Sequence, residues 1–173
     1  MTDRKSRAAV VLAGLLALSP IIPASAAMGP PQRPGQPATQ ALEDLPTNTL
    51  LSRGVAAFKA ADYATARDHF RILAQRENPT AETLLGTMTA KGQGAAKDDA
   101  IAAAWYLRAA RRGYAPAQLA LADAFARGRG VPQDTARAHT LAKAAASQGL
   151  PGAAQLASRL GPERYAMLAG GRP

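Results

Sequence analysis

Few side chains in this 173-residue sequence are of the types that do chemistry. The two histidines, His69 and His139, stand far apart in the chain. His139 falls mid-helix in an alanine-rich stretch, with no carboxylate or second histidine at metal-ligand spacing, so a surface role is expected. His69 occupies the position at which a repeating pattern, described below, carries Trp105, so it is expected to pack rather than to ligate. The stretch GQGAAKDD, residues 92–99, has the look of a phosphate loop. It lacks the GxxxxGK[ST] order, however, and follows a helical stretch instead of a strand. Asp98 and Asp134 come directly after Gly-x-Gly loops and before helical stretches, where a carboxylate accepts from free backbone N–H groups. They are read as helix caps, not bases. The absence of cysteine removes disulfides, thiolate metal sites, a thiol nucleophile and a lipid-attachment site. The sequence therefore points to no catalytic set, no metal and no cofactor.

The elements that carry these residues are expected to be helices. The chain is 47% hydrophobic but only 5% aromatic, so its core relies on alanine and leucine. Alanine is the best helix former, and strand formers are scarce. The length suits one domain. Residues 1–26 read as a signal peptide: Arg4, Lys5 and Arg7 precede an apolar run, and ASA offers a small-x-small cleavage site ending at Ala26. The run is too short and too interrupted for a membrane span. Residues 27–47, rich in proline and glycine, read as a disordered linker. Cleavage would leave 18 basic and 11 acidic residues (21 minus Arg4, Lys5 and Arg7; 12 minus Asp3), or +7. For an exported protein this favours acidic protein surfaces, anionic lipid or cell-wall polymers over nucleic acid.

A repeat organises the remainder. Residues 81–116 and 117–152 align without gaps. Matched positions include Leu85 and Leu121, Gly92 and Gly128, Gly94 and Gly130, Asp98 and Asp134, Ala109 and Ala145, and Gly113 and Gly149. An earlier unit, about 48–80, fits the frame with about four residues missing from its loop. There Gly54 answers Gly86, Asp62 answers Asp98, and His69–Phe70 answer Trp105–Tyr106. A fourth unit begins at Ala153 and stops after one helix, about 153–161, leaving a tail over 162–173. Each unit reads as two helices. The first of the central unit, about 81–91, is expected to follow a Thr80 cap and to end at Gly92. The second opens at Asp98 and stops at Gly113. Trp105 and Tyr106 are expected to fill the space between helix pairs, Ala109 and Ala110 to admit a neighbouring backbone, and Pro116 to start the next helix. By the large-to-small rule, removing the indole of Trp105 would cost about 3–5 kcal/mol.

This motif set, namely Ala81, Leu85–Gly86, Gly92-Gln93-Gly94, Asp98, Trp105–Tyr106, Ala109–Ala110 and Gly113, resembles the Sel-one-like repeat family, a relative of the tetratricopeptide repeats. The third unit departs from it with Ala122 for the first glycine and Leu141–Ala142 for Trp–Tyr, while its Phe125 supplies the aromatic missing at Thr89. The resemblance covers roughly residues 49–161. It implies an all-α fold, a short right-handed α/α solenoid of helix-turn-helix repeats whose concave face binds other proteins. It also implies an envelope regulator or host-interaction factor. A cysteine-rich branch associated with β-lactam binding or hydrolysis is disfavoured because this chain has no cysteine.

On the first helices, residues four apart stack across the units as Leu51, Val55, Lys59; Thr83, Thr87, Lys91; and Leu119, Asp123, Arg127. The last column is basic in all three and becomes Glu163 where the repeat fades. A cation in the last turn complements the helix dipole, worth about 0.3–1 kcal/mol. The same column would form a basic ladder for an acidic partner, and the two roles are compatible. The expectation is an exported, periplasmic or secreted, non-enzymatic module that binds another protein with an acidic surface. The alternatives are a β-lactam-binding or hydrolysing envelope enzyme and a basic cell-wall-binding protein. A second copy docking on the repeat ends is a further candidate partner; nucleic acid is not expected, and the membrane only in transit.

Overall fold

The computed structural model describes residues 42–161, which are helical and contain no strand. The expected signal peptide, most of the expected linker, Glu163 and the tail after Gly161 lie outside the described residues. Seven helices follow one another: α1 (Thr47–Lys59), α2 (Tyr63–Gln75), α3 (Pro79–Lys91), α4 (Asp99–Arg111), α5 (Ala115–Arg127), α6 (Thr135–Ser147) and α7 (Ala153–Leu160). None of them is long and apolar enough to cross a membrane.

Each helix packs against its chain neighbours, which makes three two-helix units, α1–α2, α3–α4 and α5–α6, followed by a half unit, α7. The first helices of successive units also touch, α3 with α5 and α5 with α7. The second helices make no comparable contact. The layer of first helices is therefore the tighter, inner one, and the layer of second helices the outer one. The fold is a helical repeat solenoid.

Local chemistry sets the boundaries. Asp62, Asp98 and Asp134 each cap a second helix, accepting from the backbone N–H of Thr65, Ile101 and Arg137 at 3.2, 2.9 and 2.9 Å. One such cap is worth about 1 kcal/mol. Gly92 and Gly128 end α3 and α5 in the left-handed region, with φ of 70° and 67°. The expected Thr80 cap is corrected: Asn78 caps α3, accepting from Ala81 N–H at 3.0 Å. Pro79 then opens the helix, because its fixed φ suits the first turn and its missing N–H would have had no partner there. Pro116 stands in the first turn of α5 in the same manner. The linker also ends sooner than composition suggests. Leu42 and Leu45 pack on the first core cluster, and Arg76 donates to the carbonyls of Leu45, at 2.7 Å, and Glu43. Burying two leucines outweighs the polar, proline-rich character of their neighbours.

The units share one internal geometry. A Cβ built on Gly54 would lie 2.6 Å from the Phe70 ring, and one built on Gly86 would lie 2.6 Å from the Tyr106 ring. In the third unit the pair is Ala122 and Ala142, both fully buried in one cluster. The methyl of Ala122 stands where the first two units keep a glycine, and no ring answers it. Unit-to-unit packing repeats as well. Gly94 presses on Tyr63, with the carbonyl oxygen 2.9 Å from where a Cβ would stand, and Gly130 presses on Asp99, its counterpart 36 residues on. Leu85, Leu121 and Ala109 are buried, at 1%, 2% and 0% exposure. Trp105 is only partly buried, at the edge of the first cluster, with the Arg108 guanidinium 4.9 Å from its ring centroid. Its removal therefore costs less than a fully buried indole would, about 2–3 kcal/mol. Phe70, at 0% exposure, is the ring that warrants the full figure.

Candidate functional site

The inner face carries the residues singled out by the sequence. Lys59 and Lys91 are exposed in the last turns of α1 and α3, with no carboxylate at ion-pair distance among the described residues. Arg127 is also exposed, but its Nε donates to Asp123 at 2.7 Å, and Arg129 pairs with the same carboxylate. Only two of the three rungs thus offer an uncompensated charge. Thr83 and Thr87 turn their hydroxyls to the carbonyls of Pro79 and Thr83, at 2.7 and 3.0 Å. Thr87 also accepts from the Tyr106 hydroxyl at 3.3 Å. Leu119 is partly buried against the cluster of Ala115, Ala145 and Ala153.

Between α3 and α5 the inner face opens into a cleft of about 200 Å³. Ala90, Ala102, Ala103, Ala120 and Ala124 line it, together with Tyr106, Asp99, Asp123 and Arg129. One unit earlier the matching positions of Ala90, Asp99, Ala103, Ala120 and Ala124 are Phe58, Tyr63, Arg67, Leu84 and Met88. Those larger side chains close the space: Phe58 and Tyr63 meet edge to face with centroids 5.7 Å apart. Arg67 is buried and donates to Thr89 Oγ1 at 3.4 Å, and burial pulls its pKa down from the usual arginine value. Burial likewise pushes the Tyr106 phenol above its ordinary range, against a smaller opposing effect of the Thr87 hydrogen bond.

Sequence reasoning missed a polar clasp that closes each unit. Glu82, wholly buried on α3, accepts from Arg112 at 3.0 Å and from Arg108 at 3.1 Å. Arg112 also reaches Glu77, just before α3, at 3.1 Å. In the next unit Gln148 donates to Gln118 and to the Gly113 carbonyl, both at 2.9 Å. Those three residues are the counterparts of Arg112, Glu82 and Glu77. Arg76 makes the matching reach to Leu45 in the first unit. The signal was present in sequence: Glu82 lies on the apolar stripe of Leu85, Gly86 and Thr89, and Gln118 recurs there 36 residues on. His69 is buried, with Nδ1 2.8 Å from the Thr65 carbonyl. Among the described residues no group of three or more His, Cys, Asp or Glu side chains is spaced to hold a metal.

Two-helix units stacked by one recurring geometry, with a tight inner layer and an open outer one, define the class of α-solenoid repeat proteins. Residues 79–114 and 115–150 each match the Sel1 repeat family, two residues earlier than the frame counted from Ala81. Two consecutive Sel1 repeats thus lie within the chain. Solved structures agree. A Sel1 repeat protein from Oxalobacter formigenes is 32% identical over 64% of this chain and 45% of its own, with a TM-score of 0.61. A protective antigen present in uropathogenic Escherichia coli strains, displaying an SLR fold, is 33% identical over 77% of this chain and 29% of its own, with a TM-score of 0.65. The chain thus spans less than half the length of either. No curated protein matches it. Sel1-repeat folds commonly mediate protein–protein interaction.

Proposed function

We propose that this protein is an exported, non-enzymatic adaptor of the bacterial envelope whose inner face holds an acidic segment of another protein. The observation that carries the reading is the pair of uncompensated cations, Lys59 and Lys91, standing in register along the first helices. Lys91 directly follows Ala90, which lines the alanine-floored cleft between α3 and α5. A side chain of the partner fits that cleft as Phe58 and Tyr63 fill its counterpart, while carboxylates beside it meet the lysines. The net charge of +7 after cleavage at Ala26 assists encounter with an acidic partner and makes it sensitive to salt.

Photo-crosslinkers placed on the inner face of the mature protein in its own envelope test this reading. Capture of one protein, reduced about tenfold by Lys59→Gln with Lys91→Gln and barely changed by Arg127→Gln, is expected, because Asp123 already neutralises Arg127. Equal capture by all variants would retire the inner-face site. Mass spectrometry of the mature protein should find Ala27 at its start; a retained leader would remove the export reading.

A further inference from the structure

We propose that the outer face carries a second docking site, a groove between α4 and α6 that takes an aromatic side chain beside a carboxylate from a protein partner. The groove, about 410 Å³, is floored by Leu121 and Phe125 of α5 and walled by Leu107 of α4 and by Arg137, Thr140 and Leu141 of α6. It lies on the opposite layer from the lysines of the inner face.

The repeat itself states what fits there. One unit earlier, the position of Leu141 is held by Trp105, and the position of Leu121 by Leu85. The indole of Trp105 packs on the cluster that contains Leu85. The protein therefore fills the equivalent space with an indole from its own chain. Leucine at 141 is too short to do so, and the space stays open. The consequence is apolar exposure: Leu107 is 37% exposed, and it and Ile101 are the large exposed hydrophobic residues among the described ones. An aromatic group entering between Leu107 and Leu141 would cover this surface and regain the burial that Trp105 achieves one unit earlier.

Charge selects the flanks of the occupant. No carboxylate lines the groove. The Arg137 guanidinium lies 5.7 Å from the Phe125 ring centroid; its side chain is 71% exposed and its Nε pairs with the Asp134 carboxylate at 3.1 Å, so its charge is already compensated. Arg111, one turn beyond Leu107 on α4, is exposed and without a carboxylate at ion-pair distance among the described residues. An acidic group beside the entering ring meets Arg111, the uncompensated cation at this groove, whereas a lysine there would be repelled.

The probe is a capped Glu-Trp-Glu tripeptide titrated into the full chain, with capped Lys-Trp-Lys as the charge control, read by methyl NMR. The methyl signals of Leu107, Leu121 and Leu141 are expected to shift with the acidic peptide, and binding of the basic one to be at least about tenfold weaker. Leu141→Trp restores the indole of the motif and should abolish the shifts at Leu107 and Leu121. Leu107→Glu, at an exposed position that leaves folding intact, should weaken binding by a similar factor through repulsion. Equal binding of both peptides, unchanged binding by Leu141→Trp, or shifts confined to the inner face would overturn the proposal. So would a dimer in sedimentation that Leu141→Trp dissolves, because a second copy would then be the occupant.

Discussion

Arg112 and Glu82 form a clasp whose neutral version the protein already uses one unit later, which allows a sharp test. Arg112→Gln removes two hydrogen bonds to Glu82, at 3.1 and 3.0 Å, and leaves a carboxylate of 0% exposure with Arg108 alone. A hydrogen bond to a charged group contributes about 1.5–3 kcal/mol, and orphaning a buried charge costs about 3–5 kcal/mol. Because Arg108 stays, the expected loss is about 2–3 kcal/mol. Glu82→Gln leaves two guanidiniums whose side chains are 47% and 31% exposed and can rehydrate, so its loss should be about 1–2 kcal/mol. Added together, the single losses come to about 4 kcal/mol. The double variant Glu82→Gln with Arg112→Gln, however, recreates the pairing of Gln118 and Gln148, which meet at 2.9 Å. It should fall within about 1 kcal/mol of the parent, a coupling of about 3 kcal/mol. Urea unfolding followed by far-UV circular dichroism measures this, and each kcal/mol should appear as about 3–5 °C in melting temperature. A double variant as unstable as the summed singles would refute the equivalence of the two clasps.

Other substitutions probe the remaining contacts. Gly86→Ala should destabilise by about 1–3 kcal/mol despite better helix propensity, because the methyl meets the Tyr106 ring; adding Tyr106→Ala, which copies Ala122 with Ala142, should recover part of the loss in thermal melts. Phe70→Ala should cost about 3–5 kcal/mol and Trp105→Ala about 2–3 kcal/mol, the reverse order marking Trp105 as the central ring. Ala61 holds a φ of 60°, so Ala61→Gly should raise stability by about 1 kcal/mol in the same assay. The raised pKa of Tyr106 means the unfolded chain loses this proton before the folded one does. Stability should therefore fall as pH rises above the ordinary phenol value, and Tyr106→Phe should flatten that alkaline slope in melts taken across the pH range.

Much of the fold was legible in the sequence because the forces that set it are local or periodic. Aspartates at 98 and 134 meet free N–H groups a few residues away, glycines at 92 and 128 adopt left-handed torsions their neighbours could not, and alanines recur at helical spacing. Those rules operate within a turn or two of chain, so spacing alone reveals them. The basic column was legible too, as a list of positions. What it lacked was the state of each charge: Arg127 is neutralised by Asp123, whereas Lys59 and Lys91 are not, and that depends on which rotamers meet in space. The Glu82 clasp joins residues 30 apart, and the inner cleft and outer groove are volumes left over when unlike side chains occupy like positions. The sequence by itself determined where helices start, stop and repeat, since backbone hydrogen bonding and torsion are satisfied locally. Only the tertiary structure decided which buried polar groups pair and where space remains, because both arise when separate units press against one another and each side chain takes the room its neighbours leave.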